Sequence, residues 1–458
     1  MSFMISPILL TKLAKSYLTD IDRAWKNIYK IEKYQDKQIR QLVKYAYTIP
    51  IFHDKYKKSS VHPNDIQGKK DIEKIPMISK KDLRGKTPES LLPINQNIDN
   101  YLVSTTSGST GQPITFYNDH NTIYHSLIGF IRILKAHNLN WKKNRIATLA
   151  DLSPDSIENA FFLGFGMKSL NKIFSFNNIK VFDISEKPEI LIKKLEDFKP
   201  DFIGGYPSNL SLLANFKNKG YAKNLHPELI VTTGAVLDEY TRKYIKKSFD
   251  SKLADMYGAT ESSPIAFQCK NENYHVNDDY NFLEYIDYKE KEEKYGDGGN
   301  LIITRLFGKG TPIIRYTGLS DFIKTSDNKC KCGMNTSIIE YIGGRRVDSI
   351  LLPNGDLLPP FVLTGIPHKV MNMFKTDKLL RFQIVQEKID QIDVLLNLDK
   401  KLRDMKPKND LLFNEIKKQL LLKLGKNLKV NVKEVDKIQT IRSRTAAESP
   451  VVISKVRK

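Results

Sequence analysis

Two periodicities alternate along the chain. Between Ile8 and Lys57, apolar residues recur at helical spacing in ISPILLTKLAKSYL and IRQLVKYAYTIPIFHDKY, and both stretches end in polar or proline-containing turns. IPMISKKDLRG, Ile75 to Gly85, reads as a connector in which Ser79 caps the charged residues that follow. Further on, NTIYHSLIGFIRILKAH is amphipathic, IATLAD is strand-like and PEILIKKLEDF is helical. DFIGGYP, NLSLLANFKNKG and LIVTTGAVL then read as strand, helix and strand. That rhythm predicts a large α/β N-terminal domain with mostly parallel sheets.

From Asn300 the texture turns to strand and turn, in NLIITRL, TPIIRYTG and SIIEYIGGRR. LRFQIVQ and IDVLLNL are strand-like, DLLFNEIKKQLLLKLG is an amphipathic helix, and LKVNVKEV is strand-like again, which predicts a small α+β C-terminal domain. The glycine pair that meets a charged run between Gly343 and Asp348 marks the joint, giving domains of residues 1–344 and 345–458. A chain of 458 residues exceeds what one compact core supports, in keeping with that division. No internal repeat or low-complexity segment interrupts it.

Composition excludes several classes. With 40% hydrophobic and 27% charged residues the chain reads as an ordinary globular protein, and no apolar run approaches the ~20 residues that span a bilayer. The opening MSFMISPILLTKLAKSYL is interrupted by Lys and lacks a small-residue cleavage site, so a cytoplasmic protein is expected. The net charge of +21 raises the question of nucleic acid, but the lysines are scattered and carry no nucleic-acid-binding signature. No nucleic-acid partner is expected; coding bias, an anionic ligand or weak membrane-surface association accounts for the charge.

Chemistry concentrates in loops. TTSGSTGQP, Thr105 to Pro113, follows the apolar run YLVS and can turn backbone N–H groups and hydroxyls toward a phosphate; a solvated linker has the same composition. LADMYGATES (Leu253 to Ser262), IIRYTGLSD (Ile313 to Asp321) and IGGRRVDSI (Ile342 to Ile350) follow strand-like stretches in the same way. Taken in this order, the four motifs resemble those of the adenylate-forming superfamily, the acyl-CoA synthetases and their relatives. The phenylacetate-CoA ligase and CapK-like capsular polysaccharide branch is the nearest part of it, through YTIPIFHDKY, IPMISKKDLR, GGYPSNL and TTGAVL.

The resemblance implies an AMP-forming ligase that joins a carboxylic acid to a thiol, such as coenzyme A, or to an amine. It implies ATP and Mg²⁺ as cofactors, a hinge at Arg345 with Asp348 beside it, and a mobile small domain. Ser107, Gly108, Ser109, Thr110 and Gly111 would wrap pyrophosphate, Thr260 would contact the α-phosphate, and Glu261 would hold Mg²⁺. Tyr257, Gly258 and Ala259 would shape the adenine and acyl pockets, Gly234 and Ala235 would lie along adenine, and Asp321 would accept the ribose hydroxyls. RYTGLSD carries one residue more than the family's RYxTGD, so its loop must bulge or its ribose contact must change.

Cys269, His275, Cys330 and Cys332 form a candidate site for structural Zn²⁺, since three thiolates and one imidazole suit a tetrahedral ion and leave no open position. Free buried cysteines beside an unrelated His are the alternative. At the C-terminus, relatives carry a Lys that bridges carboxylate and α-phosphate, whereas IRSRTAAESPVVISKVRK sets Glu448 or Ser449 there, with Lys455 the nearby basic candidate. That departure keeps open a second reading, a descendant that binds nucleotide or acyl adenylate without making one. The acid itself and the oligomeric state are not legible in the sequence.

Overall fold

The structure, a computed structural model, describes residues 19–105, 114–154, 156–164, 167, 175–287, 299–326, 328–345, 348–425, 428–438 and 451–456. The first expected helix, ISPILLTKLAKSYL, lies outside them. The second is divided by its proline. Helix α1 (Ile28–Ala46) buries Ile31, Ile39, Leu42 and Val43, and the chain restarts at Pro50, the first residue of α2 (Pro50–Lys58), where a missing N–H costs nothing. The connector holds a short helix, Lys80–Leu83, whose Ser79 cap and Asp82 satisfy each other: Asp82 accepts from the Ser79 N–H and hydroxyl, both at 2.7 Å.

A hairpin of β1 (Leu102–Thr105) and β2 (Thr115–Asn118) precedes α3 (His120–Ala136). The central sheet then starts with β3 (Ile146–Ala150), β4 (Ile179–Asp183), β5 (Phe202–Gly205), β6 (Leu229–Thr233) and β7 (Lys252–Ala259), all mutually parallel. Their crossovers carry α4 (Ile157–Phe162), α5 (Pro188–Phe198), α6 (Pro207–Asn218) and α7 (Glu239–Phe249). Successive strand residues point to opposite faces, so Ile146, Phe202 and Val231 pack toward α3 while Ala147, Ile203 and Ile230 pack toward α5, α6 and α7. Burial on both faces explains why these strands read as continuous apolar runs.

The change of texture has a structural counterpart. β8 (Ser263–Gln268), β9 (Tyr274–Val276), β10 (Asn281–Asp287), β11 (Gly299–Arg305), β12 (Asp321–Ser326) and β13 (Ile338–Arg345) extend the same sheet in antiparallel fashion. Its order is β10-β11-β12-β13-β9-β8-β7-β6-β5-β3-β4, eleven strands in one surface. The turn at Arg23 is clamped to it through α3: Arg132, 0% exposed, donates to both Asp279 carboxylate oxygens at 2.8 and 2.6 Å, and Arg23 adds a contact to Asp279 at 3.1 Å. Such a buried cation is tolerable only because it is paired.

The C-terminal part has its own core, running from Ile350 to Val452. After the small ladder β14 (Ile350–Leu351) and β15 (Leu357–Leu358) come α8 (Ile366–Met373), β16 (Leu379–Lys388), β17 (Gln391–Leu398), α9 (Asn409–Leu424), β18 (Lys429–Glu434) and β19 (Val452–Ser454). The sheet order is β18-β17-β16-β19, and β19, which runs parallel to β16, is a strand that the pattern did not predict. This part leans on α6 and α7. Asn215 donates to the Asp377 carbonyl at 2.7 Å, Arg381 donates to the Asn209 side chain at 3.1 Å, Lys219 pairs with Asp399, and the His368 ring meets the Thr241 hydroxyl at 3.0 Å.

Candidate active site

In open sheets with parallel strands, ligands bind beyond the strands' carboxyl ends. Here β3, β5, β6 and β7 end at Ala150, Gly205, Thr233 and Ala259. Ser107, Gly108, Ser109, Thr110 and Gly111 lie outside the described residues; on either side of them in the sequence, Thr105 of β1 pairs with Thr115 of β2. Asn118 steadies that hairpin by donating to the Ser104 hydroxyl at 2.8 Å.

The segment Tyr257, Gly258, Ala259, Thr260 and Glu261 turns from β7 into β8. The Tyr257 hydroxyl donates to the Asp321 carboxylate at 2.5 Å, which joins the end of β7 to the start of β12. Burial first, and then the Asp321 charge, push the Tyr257 phenol well up, so it remains a donor. Glu261 is 6% exposed and thus not an acid on an exposed turn. Its carbonyl accepts from Arg305 at 2.9 Å, and its carboxylate faces the buried Tyr316 phenol, whose pKa is raised by burial and then by that charge.

Arg305 was not singled out by its sequence, where it stands as one cation in the apolar run NLIITRL. It is fully buried and joins three pieces of the site: it donates to the Asn118 side chain at 3.1 Å, to the Glu261 carbonyl at 2.9 Å and to the Thr311 carbonyl at 3.1 Å. Burial pushes its guanidinium down to about 10, still charged at neutral pH. Tyr316 is the second residue missed, although it sits within the quoted RYTGLSD.

The RYTGLSD loop takes an irregular backbone path. Arg315 and Ser320 both adopt positive φ, at 42° and 59°. Gly318 is required by packing, since a Cβ there would lie 2.1 Å from the Tyr316 ring and hydroxyl. Arg315 anchors the loop through Glu284 at 2.9 Å, and Asp321 emerges to meet Tyr257. Arg345 is the backbone partner of Asp321 across β13 and β12. After β6, Gly234 at φ +81° leaves room for the Tyr206 ring, which a Cβ would approach to 2.5 Å. Ala235 follows it, and Val236 reaches Gly344 of β13, to which a Cβ would lie 3.2 Å away.

The cysteine cluster assembles at the other end of the same strands. Cys269 closes β8, His275 lies in β9, and Cys330 and Cys332 lie in the loop between β12 and β13. The Cys269 and Cys330 sulfurs are 3.7 Å apart, Cys332 Sγ lies 3.2 Å from His275 Nε2, and all four ligand atoms fall within 4.8 Å of one another. Tetrahedral zinc thiolates, with bonds of about 2.3 Å, place their sulfurs about 3.8 Å apart, so the donor set fits. His275 Nδ1 contacts the Thr336 hydroxyl at 3.1 Å, orienting the ring, and Asn273 donates to Cys330 at 3.3 Å.

Glu448 and Ser449 lie outside the described residues. Lys455 is engaged elsewhere: its ammonium contacts both Glu387 carboxylate oxygens, at 2.7 and 2.8 Å, and its N–H donates to the Gln386 carbonyl at 2.9 Å. No helix among the described residues is long and apolar enough to cross a membrane.

Comparison with known proteins agrees with this layout. The family profile described as AMP-binding enzyme matches residues 32–282, and that of the CapK C-terminal domain matches residues 363–444. A phenylacetate-coenzyme A ligase of Thermus thermophilus is 23% identical over 369 residues, covering 74% of this chain and 77% of the relative. One of Pseudomonas putida is 21% identical over 422 residues, covering 88% and 90%. The crystal structure of a 2-hydroxyisobutyryl-CoA ligase in the postadenylation state, in complex with 2-HIB-AMP, superimposes with a TM-score of 0.72 at 16% identity, covering 92% of this chain and 89% of that one.

Proposed function

The chain belongs to the AMP-binding enzyme family, and from that premise we propose that it is an ATP-dependent, AMP-forming ligase for a small carboxylic acid. In the first half-reaction a carboxylate oxygen attacks the α-phosphorus, the bond to the bridging oxygen breaks, and pyrophosphate leaves. In the second, a thiol attacks the acyl carbon and AMP leaves. Coenzyme A is the acceptor favoured by the phenylacetate-coenzyme A ligase relatives. The CapK C-terminal match supports testing an amine acceptor and a role in surface polysaccharide synthesis beside it. A cytoplasmic setting goes with the ATP it consumes.

The observation that carries this reading is the half-buried Tyr257–Asp321 contact at the end of β7, beside the buried Glu261. In this reading Asp321 would accept the ribose hydroxyls, and Gly234 and Ala235 would lie along the adenine. Mg²⁺, a hard cation, supplies charge neutralisation at the phosphates, and Glu261 is the residue that would hold it, with Thr260 toward the α-phosphate. Residues Ser107 to Gly111 would wrap the departing pyrophosphate. Residues 345–458 would turn about Arg345 between the half-reactions.

A structural zinc ion completes the reading. Cys269, His275, Cys330 and Cys332 would hold it and fasten the antiparallel half of the sheet.

Acid-dependent exchange of pyrophosphate with ATP, run over aryl, fatty and hydroxy acids beside E448K, tests the proposal. Robust exchange by the native chain supports a ligase whose cation comes from elsewhere. Exchange only in E448K would replace this reading with that of a binding descendant, and absence of nucleotide binding would remove both.

A further inference from the structure

The chain after β3 reads ADLSPDSIENAFF, and its polar residues build a tight return. Asp151 accepts from the Ser153 N–H at 2.9 Å, the Ser156 hydroxyl donates to the Asp151 carbonyl at 2.5 Å and caps α4 by accepting from the Asn159 N–H at 2.9 Å, and the Asn159 side chain donates to the Leu152 carbonyl at 2.7 Å. This return brings Glu158, one turn into α4, back over the end of β3, where one carboxylate oxygen accepts from the Asp151 N–H at 2.5 Å. The other accepts from the Tyr206 hydroxyl.

Tyr206 caps the sheet from the end of β5 and is 8% exposed. Its ring lies on Gly234 at the end of β6, a position that a side chain would occupy if Gly234 had one. Three parallel strands thus deliver one carboxylate–phenol pair to the carboxyl edge of the sheet, where ligands of such sheets bind, and α4 also packs on β1, the strand that leads in sequence to the hydroxyl-rich motif. Glu158 keeps partial exposure there. Burial pushes its carboxyl up to about 6, leaving it ionised at neutral pH. A carboxylate has about four acceptor positions, and the two contacts above use half of them.

We propose that Glu158, with Tyr206, is the specificity-determining pair of the acid pocket, selecting acids whose chain carries a hydrogen-bond donor, a hydroxyl or an amino group, over the matching hydrocarbon acid. The assignment rests on the ligase reading and names its substrate class. The physical reason is asymmetric. An apolar group set against the pair would strip water from a buried carboxylate and return no hydrogen bond, whereas a donor replaces the lost water.

The test uses the full chain and matched acids: 3-hydroxybutyrate against butyrate, and 3-aminobenzoate against benzoate. The native protein should favour the donor-bearing member of at least one pair by about a hundredfold in kcat/KM for pyrophosphate exchange. E158L should bring that ratio within about threefold, through loss on the donor-bearing acid alone, and Y206F should fall between. An unchanged ratio in E158L, or no preference in the native chain, overturns the assignment. If E158L fails to fold, E158Q and Y206F carry the test.

Calorimetry with ATP separates this claim from the one beneath it. Missing nucleotide binding refutes the ligase reading. Bound nucleotide with equal rates for both members of each pair refutes only the role of Glu158. If nucleotide binds but no acid turns over, the thermal shift produced by each acid in the presence of AMP reads the preference, and equal or absent shifts refute it.

Discussion

A carboxylate that is 6% exposed needs a reason to be there, and Glu261 has Arg305 on its own carbonyl and the Tyr316 phenol beside its side chain. E261Q should therefore cut pyrophosphate exchange by about a hundredfold or more while leaving the melting temperature nearly unchanged, because the shape is kept and only the charge is lost. A fall of less than threefold would remove Glu261 from the magnesium role. Y257F deletes the hydroxyl that holds Asp321 and should raise KM for ATP by about three- to tenfold with a smaller change in kcat. R305L leaves two carbonyls and an amide oxygen without their donor, and a loss of about 3 kcal/mol in denaturant unfolding is the expected cost. Tyr257, Glu261 and Asp321 were singled out in the sequence because each lies in a motif that resembles the adenylate-forming superfamily, and the structure brings the three together. Arg305, Tyr316 and Glu158 were not, because their roles come from strands far apart in the chain, and nothing local distinguishes an Arg in NLIITRL from a strand-end cation.

Elements long enough to show a period were read well; short ones were not. The strands β3, β5 and β6 and the helices α5, α6 and α9 follow from their apolar patterns, whereas β4 went unread and β7 runs through LADMYGATES, where a loop was expected. α4 has six residues and β19 three, too few for a period to register. The extra residue in RYTGLSD was legible, but the positive φ at Arg315 and Ser320 was not. Among these elements β8, β9 and β13 stand out, since the turn of Thr260 and Glu261 opens β8 while Cys269 closes it. Metal analysis of the purified chain should find close to one zinc ion per chain. C332S should lose it and melt several degrees lower, with exchange activity falling in step as β8 loosens. Full zinc content in that variant, or an unchanged melt, would count against the site.

The described molecule is a large part and a small part, each with its own apolar packing, joined by a polar seam. His368 sits in that seam, and burial pulls its imidazole below the ordinary 6.5 against the opposing pull of Asp238. A base whose pKa is lowered on docking is held neutral there. Its contribution is complete above about pH 6.5 and is lost as the pH falls below that value, because the free imidazole binds the proton that the docked one refuses. Limited proteolysis should therefore cut between the two parts faster at pH 5.5 than at 7.5, and H368Q should flatten the difference. D399K, which sets two cations face to face at Lys219, should open the seam at every pH. The division into a large and a small part was legible from the change of pattern, whereas the seam was not, since its members are scattered polar residues on helix surfaces.

The clamp of Arg23 on Asp279 reaches across 256 positions of sequence. At ordinary rates of translation, about 5–20 residues per second, the turn that carries Arg23 is made roughly ten to fifty seconds before its seat at Asp279 exists. That contact cannot form until residue 279 has been made, so this part of the large core is completed across a long stretch of synthesis.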